Sequence, residues 1–288
     1  MKKIALALAL VLLAPIQAIP QTRSFLWKAT KGPGAVYLVG SLHLLTKDYY
    51  PLAPALDAAF KDADLLVEEA DLGEMLSPQS QLAVVTRGML PANQSLDQLV
   101  SPATFALVTK RVAALGAPIE PLKRFKPWMI ALTVLGLEWQ KAGFEPELGL
   151  DKHFYDRARA EGKMVQGLET TDFQISLFDS MTRAQQDRLL AESLEASQTE
   201  MASVRQLADA WRGGDAATVE RIVLGDLSDD RELYQSLVVN RNRSWLPKIE
   251  ALFARRGRAF VVIGAAHLIG PDGLLAVLKA KGYAVEQM

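Results

Sequence analysis

Apolar positions along the chain follow two rhythms. Short continuous runs occur at AVYLVG (35–40), in LLVEEAD (65–71), in KMVQGLE (163–169), at AFVVIG (259–264) and in YAVEQ (283–287), and each predicts a strand. The stretch FLWKATKGPGAVYLVG (25–40) holds two such runs joined by GPG at 32–34, which predicts a β-hairpin. Between the runs the spacing turns helical. Leu52, Leu56 and Phe60 mark one helix, and others are predicted over roughly 96–114, 127–142 and 151–161. From 183 to 212 apolar residues recur at Leu190, Leu194, Met201, Val204, Ala208 and Trp211, a stripe broken only by Ser197 and ended by RGGD (212–215). Leu233, Leu237 and Arg241 follow at spacings of four, so an arginine continues an apolar stripe, and Pro247 is expected to kink or restart that helix. Asp272, in the turn GPDG, is available to cap the last helix. The expectation is an α/β fold: a mixed β-sheet flanked by helices, with a helix-rich middle segment, in one domain over 19–288.

Composition narrows this picture. In 288 residues, 32 Lys and Arg nearly cancel 33 Asp and Glu, so no overall field attracts nucleic acid or an anionic membrane. The opening MKKIALALALVLLAPIQA has two lysines, an apolar run and small residues at Ala14 and Ala18, the layout of a secretory signal peptide over 1–18. The run is too short to span a bilayer, which takes about 20 residues. The expected mature protein is therefore periplasmic or secreted, without stable membrane insertion once the signal is cleaved. Cysteine is absent, so any metal must be held by nitrogen and oxygen.

Only three histidines occur, and two of them, His43 and His267, end the same pattern of apolar strand, Gly, two residues, His, Leu. With 19 glycines in 288 positions, two such coincidences among three histidines are on the order of a one per cent accident. Alternation along 65–71 places Glu69 on the face of Leu65 and Val67, and Glu169 ends another strand. Two imidazoles and a carboxylate make a catalytic Zn²⁺ set, and a further carboxylate can act as general base. Manganese or cobalt would suit the same nitrogen and oxygen ligands. Arg241 has two readings: a structural ion pair, or a planar fork that orients a metal-bound carboxylate or steadies an oxyanion. His153, in LDKHFYDRA, is expected at the surface of a helix, and Trp128 and Trp139 in the core.

These motifs resemble those of the TraB/GumN family, which includes the TIKI proteases and bacterial pheromone-shutdown proteins. The family's two G-x-x-H motifs correspond to GSLH (40–43) and GAAH (264–267), its strand glutamate to Glu69, its GLE segment to 167–169, its Arg-Asn pair to Arg241 and Asn242, and its tail to HLIGPDGLL (267–275). The resemblance implies a fold related to the erythromycin esterase and ChaN group. For the TIKI branch it implies metal-dependent proteolysis using two histidines and a glutamate. The expected site is thus a metal set of His43, Glu69 and His267, with Glu169 or Glu68 as proton acceptor and Arg241 beside them. The expected activity is hydrolysis of a peptide or another amide or ester; the alternative is a periplasmic protein that binds a metal, haem or peptide without turnover.

Overall fold

The computed structural model describes residues 23–196 and 200–288; the expected signal segment lies outside them. Six strands form one sheet: β1 (Leu26–Lys31), β2 (Gly34–Ser41), β3 (Leu65–Ala70), β4 (Met164–Glu169), β5 (Ala259–Gly264) and β6 (Ala284–Gln287), in the order β4-β3-β5-β2-β1-β6. Strands β4, β3, β5 and β2 are parallel, whereas β1 pairs antiparallel with both β2 and β6. The mixed sheet flanked by helices is therefore as the sequence predicts.

The continuous apolar runs have a physical cause. Every residue of β5 is buried, and so is all of β3 except Glu69, because helices cover the sheet. Phe260 on β5 packs against Phe60 of helix Pro54–Asp62 and Phe154 of helix Leu150–Glu161, with ring centroids 5.5 and 4.7 Å away. Trp211 reaches the sheet by donating its indole N–H to the Gly40 carbonyl at 2.7 Å.

Several local expectations are corrected. The apolar stripe over 183–212 belongs to two helices, Arg183–Ala196 and Glu200–Arg212, that serve different cores. Leu190 and Leu194 join Val108, Val112, Ile130 and Val134 in a helical cluster, whereas Val204, Ala208 and Trp211 pack into the core under the sheet. Ser197 and the side chain of Met201 fall outside what is described. The helix expected over 96–114 is two, Leu96–Leu99 and Pro102–Ala114, because Ser101 caps the second and Pro102 starts it. Pro247 neither ends nor restarts its helix. It lies inside Asn240–Leu252 on an exposed face, where water can satisfy the carbonyl its missing amide frees. The irregularity comes earlier, as a π-helix at Gln235–Val239 that widens the turn and gives Val238, rather than Leu237, the buried position. Asp272 does not cap the last helix; its carboxylate accepts from the Tyr234 hydroxyl at 3.3 Å. No helix among the described residues is long and apolar enough to cross a membrane.

Candidate functional site

Four adjacent parallel strands open toward one edge of the sheet, and the sequence sets a polar residue at each exit. Glu169 ends β4, Glu68 and Glu69 lie near the end of β3, His267 follows β5 through a short 3₁₀ turn, and His43 follows β2. β5 inserts between β3 and β2, so chain connections diverge here, and open α/β sheets bind ligands at the carboxyl ends beside such a point. Residues far apart in the chain thus converge without any local motif.

Arg241 is the hub. It is buried, and its Nη2 donates to Glu69 Oε2 at 2.5 Å and to Glu169 Oε1 at 2.6 Å, while Nε donates to the two oxygens of Glu169 at 3.1 and 3.3 Å. Trp245, one helical turn on, donates its indole N–H to Glu169 Oε2 at 2.8 Å. Glu169 therefore spends both oxygens on holding Arg241. Of the two readings of Arg241, this geometry shows the ion pair, placed where the strand ends converge.

His267 is 4% exposed and its orientation is fixed. Asn242 donates its amide N–H to the backbone carbonyls of His267 and Asp272, which leaves its oxygen to accept from His267 Nδ1 at 2.8 Å. Nδ1 then bears the proton, and the Nε2 lone pair faces inward, accepting from Arg241 Nη1 at 3.0 Å with Glu69 Oε1 3.8 Å away. Burial pushes His267 down to about 4, so the ring is neutral at pH 7. Burial opposes ionisation of Glu69 as well, yet the Arg241 guanidinium, the His43 imidazole and the Gly264 amide, which donates to Oε1 at 2.7 Å, hold its carboxyl well below the ordinary range.

His43 is the open side of the centre, with its side chain 60% exposed. Its Nδ1 lies 2.8 Å from Asp151 Oδ2, which also accepts from the Ser41 hydroxyl, and the Asp151 charge raises the imidazole above its ordinary value. Gly264 lets these groups approach: a methyl there would stand 3.0 Å from Glu69 Oε1, 3.5 Å from His43 Nε2 and 3.7 Å from the His267 ring. Among the described residues no three His, Asp or Glu groups are already gathered as a metal set.

Glu68 points away from Glu69, as neighbours on a strand must. It is 2% exposed, Oε1 has no partner, and Oε2 accepts only the Leu72 amide at 3.4 Å. Burial pushes its carboxyl up to about 9. Alternation along β3 names Glu69 correctly as the member of the pair that meets the histidines, although both faces of the strand are covered.

Two cavities flank the centre and share His43 and Glu69 in their walls. One, of about 300 Å³, runs over Glu68 and Asp151; the other, of about 460 Å³, lies against Leu132, Leu135 and Trp139 and also touches Arg241 and His267. Trp139 is thus a wall of the larger cavity, whereas Trp128 is core as expected. His153 is not a surface residue; it is half-buried with its ring 5.3 Å from that of Tyr50. Asp151 and Trp245 were not legible as site residues, because each sits in an unremarkable helical sequence and only the fold brings it to the strand ends.

A family model described as the TraB/PrgY/gumN family matches residues 25–287. The Uncharacterized protein YbaP of Escherichia coli (strain K12) is 26% identical over 246 residues, spanning 84% of this chain and 87% of its own. The protein of the same name from Shigella flexneri gives the same values. No solved structure matches significantly.

Proposed function

The chain belongs to the TraB/PrgY/gumN family, and on that premise we propose that it hydrolyses an amide or ester bond, that of a peptide first among them, with a divalent metal held by His43, Glu69 and His267. The observation supporting this reading above others is the fixed tautomer of His267, whose Nε2 lone pair faces Glu69 at the meeting point of the strand ends. Two imidazole nitrogens and a carboxylate oxygen suit Zn²⁺, Mn²⁺ or Co²⁺ in donor chemistry. Binding requires Arg241 Nη1 to give up that lone pair. Such an ion supplies a polarised carbonyl and water of lowered pKa.

The chain's own groups have separable tasks. Asn242 keeps His267 in the tautomer that offers Nε2, and Asp151 orients His43 through Nδ1. Arg241 faces the larger cavity with a fork able to steady negative charge on a substrate oxygen. Glu169 and Trp245 hold that fork, so in this reading Glu169 positions Arg241 rather than accepting a proton.

One observation favours a second reading. Arg241 already occupies the His267 lone pair, and the exposed His43 leans on Asp151 as a general base would. In that case His43 Nε2, in the neutral form of the ring, activates water directly, without metal, and activity rises with pH toward the raised imidazole pKa of about 9. Elemental analysis of protein purified without chelator, followed by peptide-library cleavage with and without EDTA, separates the readings. Bound metal with EDTA-sensitive cleavage supports the first; metal-independent cleavage abolished by Asp151→Asn supports the second; metal without cleavage of any peptide or ester indicates a binding protein.

A further inference from the structure

The two cavities that meet at His43 and Glu69 differ in chemistry, and the difference describes a substrate. The larger is walled by Leu132, Leu135, Trp139, Leu207 and Val223, with Leu132 44% exposed to solvent. Exposed leucine beside a polar centre is apolar surface that a ligand can cover. The smaller cavity has an apolar wall of Leu72, Met75 and Leu76 and a floor formed by Glu68. Cations in its lining are already matched: Lys152 pairs with Asp156 at 2.5 Å and Glu147 at 3.3 Å, and His43 with Asp151 at 2.8 Å. Glu68 has no such partner, and the carboxylates of Glu69 and Asp151 stand in the same lining.

A buried carboxyl oxygen without a partner is unfavourable unless a donor completes it, and the ammonium or guanidinium of a cationic side chain is the strongest such donor. The apolar wall beside it suits the methylene stem of a lysine or arginine, whose head then reaches the acidic floor. We infer that the cleft binds a peptide segment with a large apolar side chain on one side of the scissile bond and a lysine or arginine on the other, the cation seated over Glu68. This inference rests on the reading of the centre as a peptide-hydrolysing site. It adds the pair of subsites that select the sequence.

The test is binding, so that it does not depend on turnover. Fluorescence anisotropy is measured on labelled nonapeptides of Ala and Ser containing two variable neighbours, Leu or Ser at one and Lys, Arg, norleucine or citrulline at the other, in both orders. The protein is used without added metal and again with Co²⁺. Peptides pairing Leu with Lys or Arg should bind at least ten-fold more tightly than those in which norleucine or citrulline replaces the cation, or Ser replaces Leu. Glu68→Gln, nearly isosteric, should cut the charge preference below three-fold and leave the Leu preference unchanged. Leu76→Lys, at a position 46% exposed and so tolerant of change, puts an ammonium at the cavity mouth and should have the same effect if Glu68→Gln does not fold. Equal affinity for cationic and neutral peptides, a charge preference untouched by either variant, or indifference to Leu would overturn the inference. Selective binding without cleavage would defeat the hydrolase reading and keep the subsites; cleavage without selectivity would do the reverse.

Discussion

Adding one methyl group to each glycine of the two G-x-x-H motifs should have opposite consequences. At Gly40 the new Cβ would stand 2.4 Å from two ring carbons of Phe25 and 3.2 Å from the Cα of Ala265. Phe25 is 1% exposed, so its ring has no free space to enter. Overpacking a buried site by a methyl costs about 1–3 kcal/mol, and this contact falls at the upper end, near 3. In a chain of this size each kcal/mol lowers Tm by about 2–4 °C, so Gly40→Ala should melt roughly 6–12 °C below the parent. At Gly264 the backbone, with φ −50°, accepts alanine without strain, and the nearest contacts are the polar atoms of Glu69 and His43. Alanine there gains about 0.4–1 kcal/mol by restricting the unfolded chain, which offsets most of a mild crowding penalty. Gly264→Ala should melt within about 4 °C of the parent yet lose metal affinity or activity at least ten-fold, because the methyl projects among Glu69, His43 and His267, the proposed ligands. Thermal unfolding by circular dichroism, with metal titration and peptide cleavage on the same samples, decides it. Normal melting of Gly40→Ala, or a Gly264→Ala protein with full metal affinity and activity, would refute the reasoning.

Asp151→Asn should lower the His43 pKa toward its ordinary value, as read by NMR titration, and weaken metal binding about 10–100-fold; an unmoved His43 titration would show that the pair does not form in solution. Asn242→Leu leaves His267 Nδ1 and two carbonyls without partners, so urea unfolding should show a loss of about 3 kcal/mol, and a loss under about 1 would mean the amide contributes little. Away from the centre, the Tyr37 hydroxyl, 2.5 Å from Asp62, and Arg258 lower the Asp62 pKa below its ordinary 3.8. The resulting stability is complete above that ordinary value and fades as pH falls through the lower folded value. Asp62→Asn should therefore flatten the acid limb of the stability profile, measured by chemical unfolding from pH 2 to 7, and an unchanged slope would contradict the assignment.

The strands and their exits were readable because each chemical residue follows an apolar run that must be buried. His43, Glu69, Glu169 and His267 were found that way, and Arg241 because it breaks an apolar stripe. What the pattern lacks is how one residue answers another across the fold. Glu169 reads as a proton acceptor from its strand-end position, but Arg241 and Trp245 engage both its oxygens through a helix about 75 residues later in the chain. Asp151 gives no signal, since an acidic residue in a helical first turn is ordinary, and only helix docking brings it to His43. The stripe over 183–212 misled for a related reason: helical periodicity reports that a face is buried, not which core buries it.

The central claim is that His43, Glu69 and His267 form one divalent-metal site. Metal content and affinity should be measured by elemental analysis and Co²⁺ titration on the parent, on His43→Ala, on His267→Ala and on the double variant, with circular dichroism confirming that each is folded. One ion per parent chain is predicted, with most of it lost in either single variant and little further loss in the double, because removing any ligand leaves an incomplete set. A folded parent that binds no ion, or a single variant that retains one ion per chain, would contradict the claim.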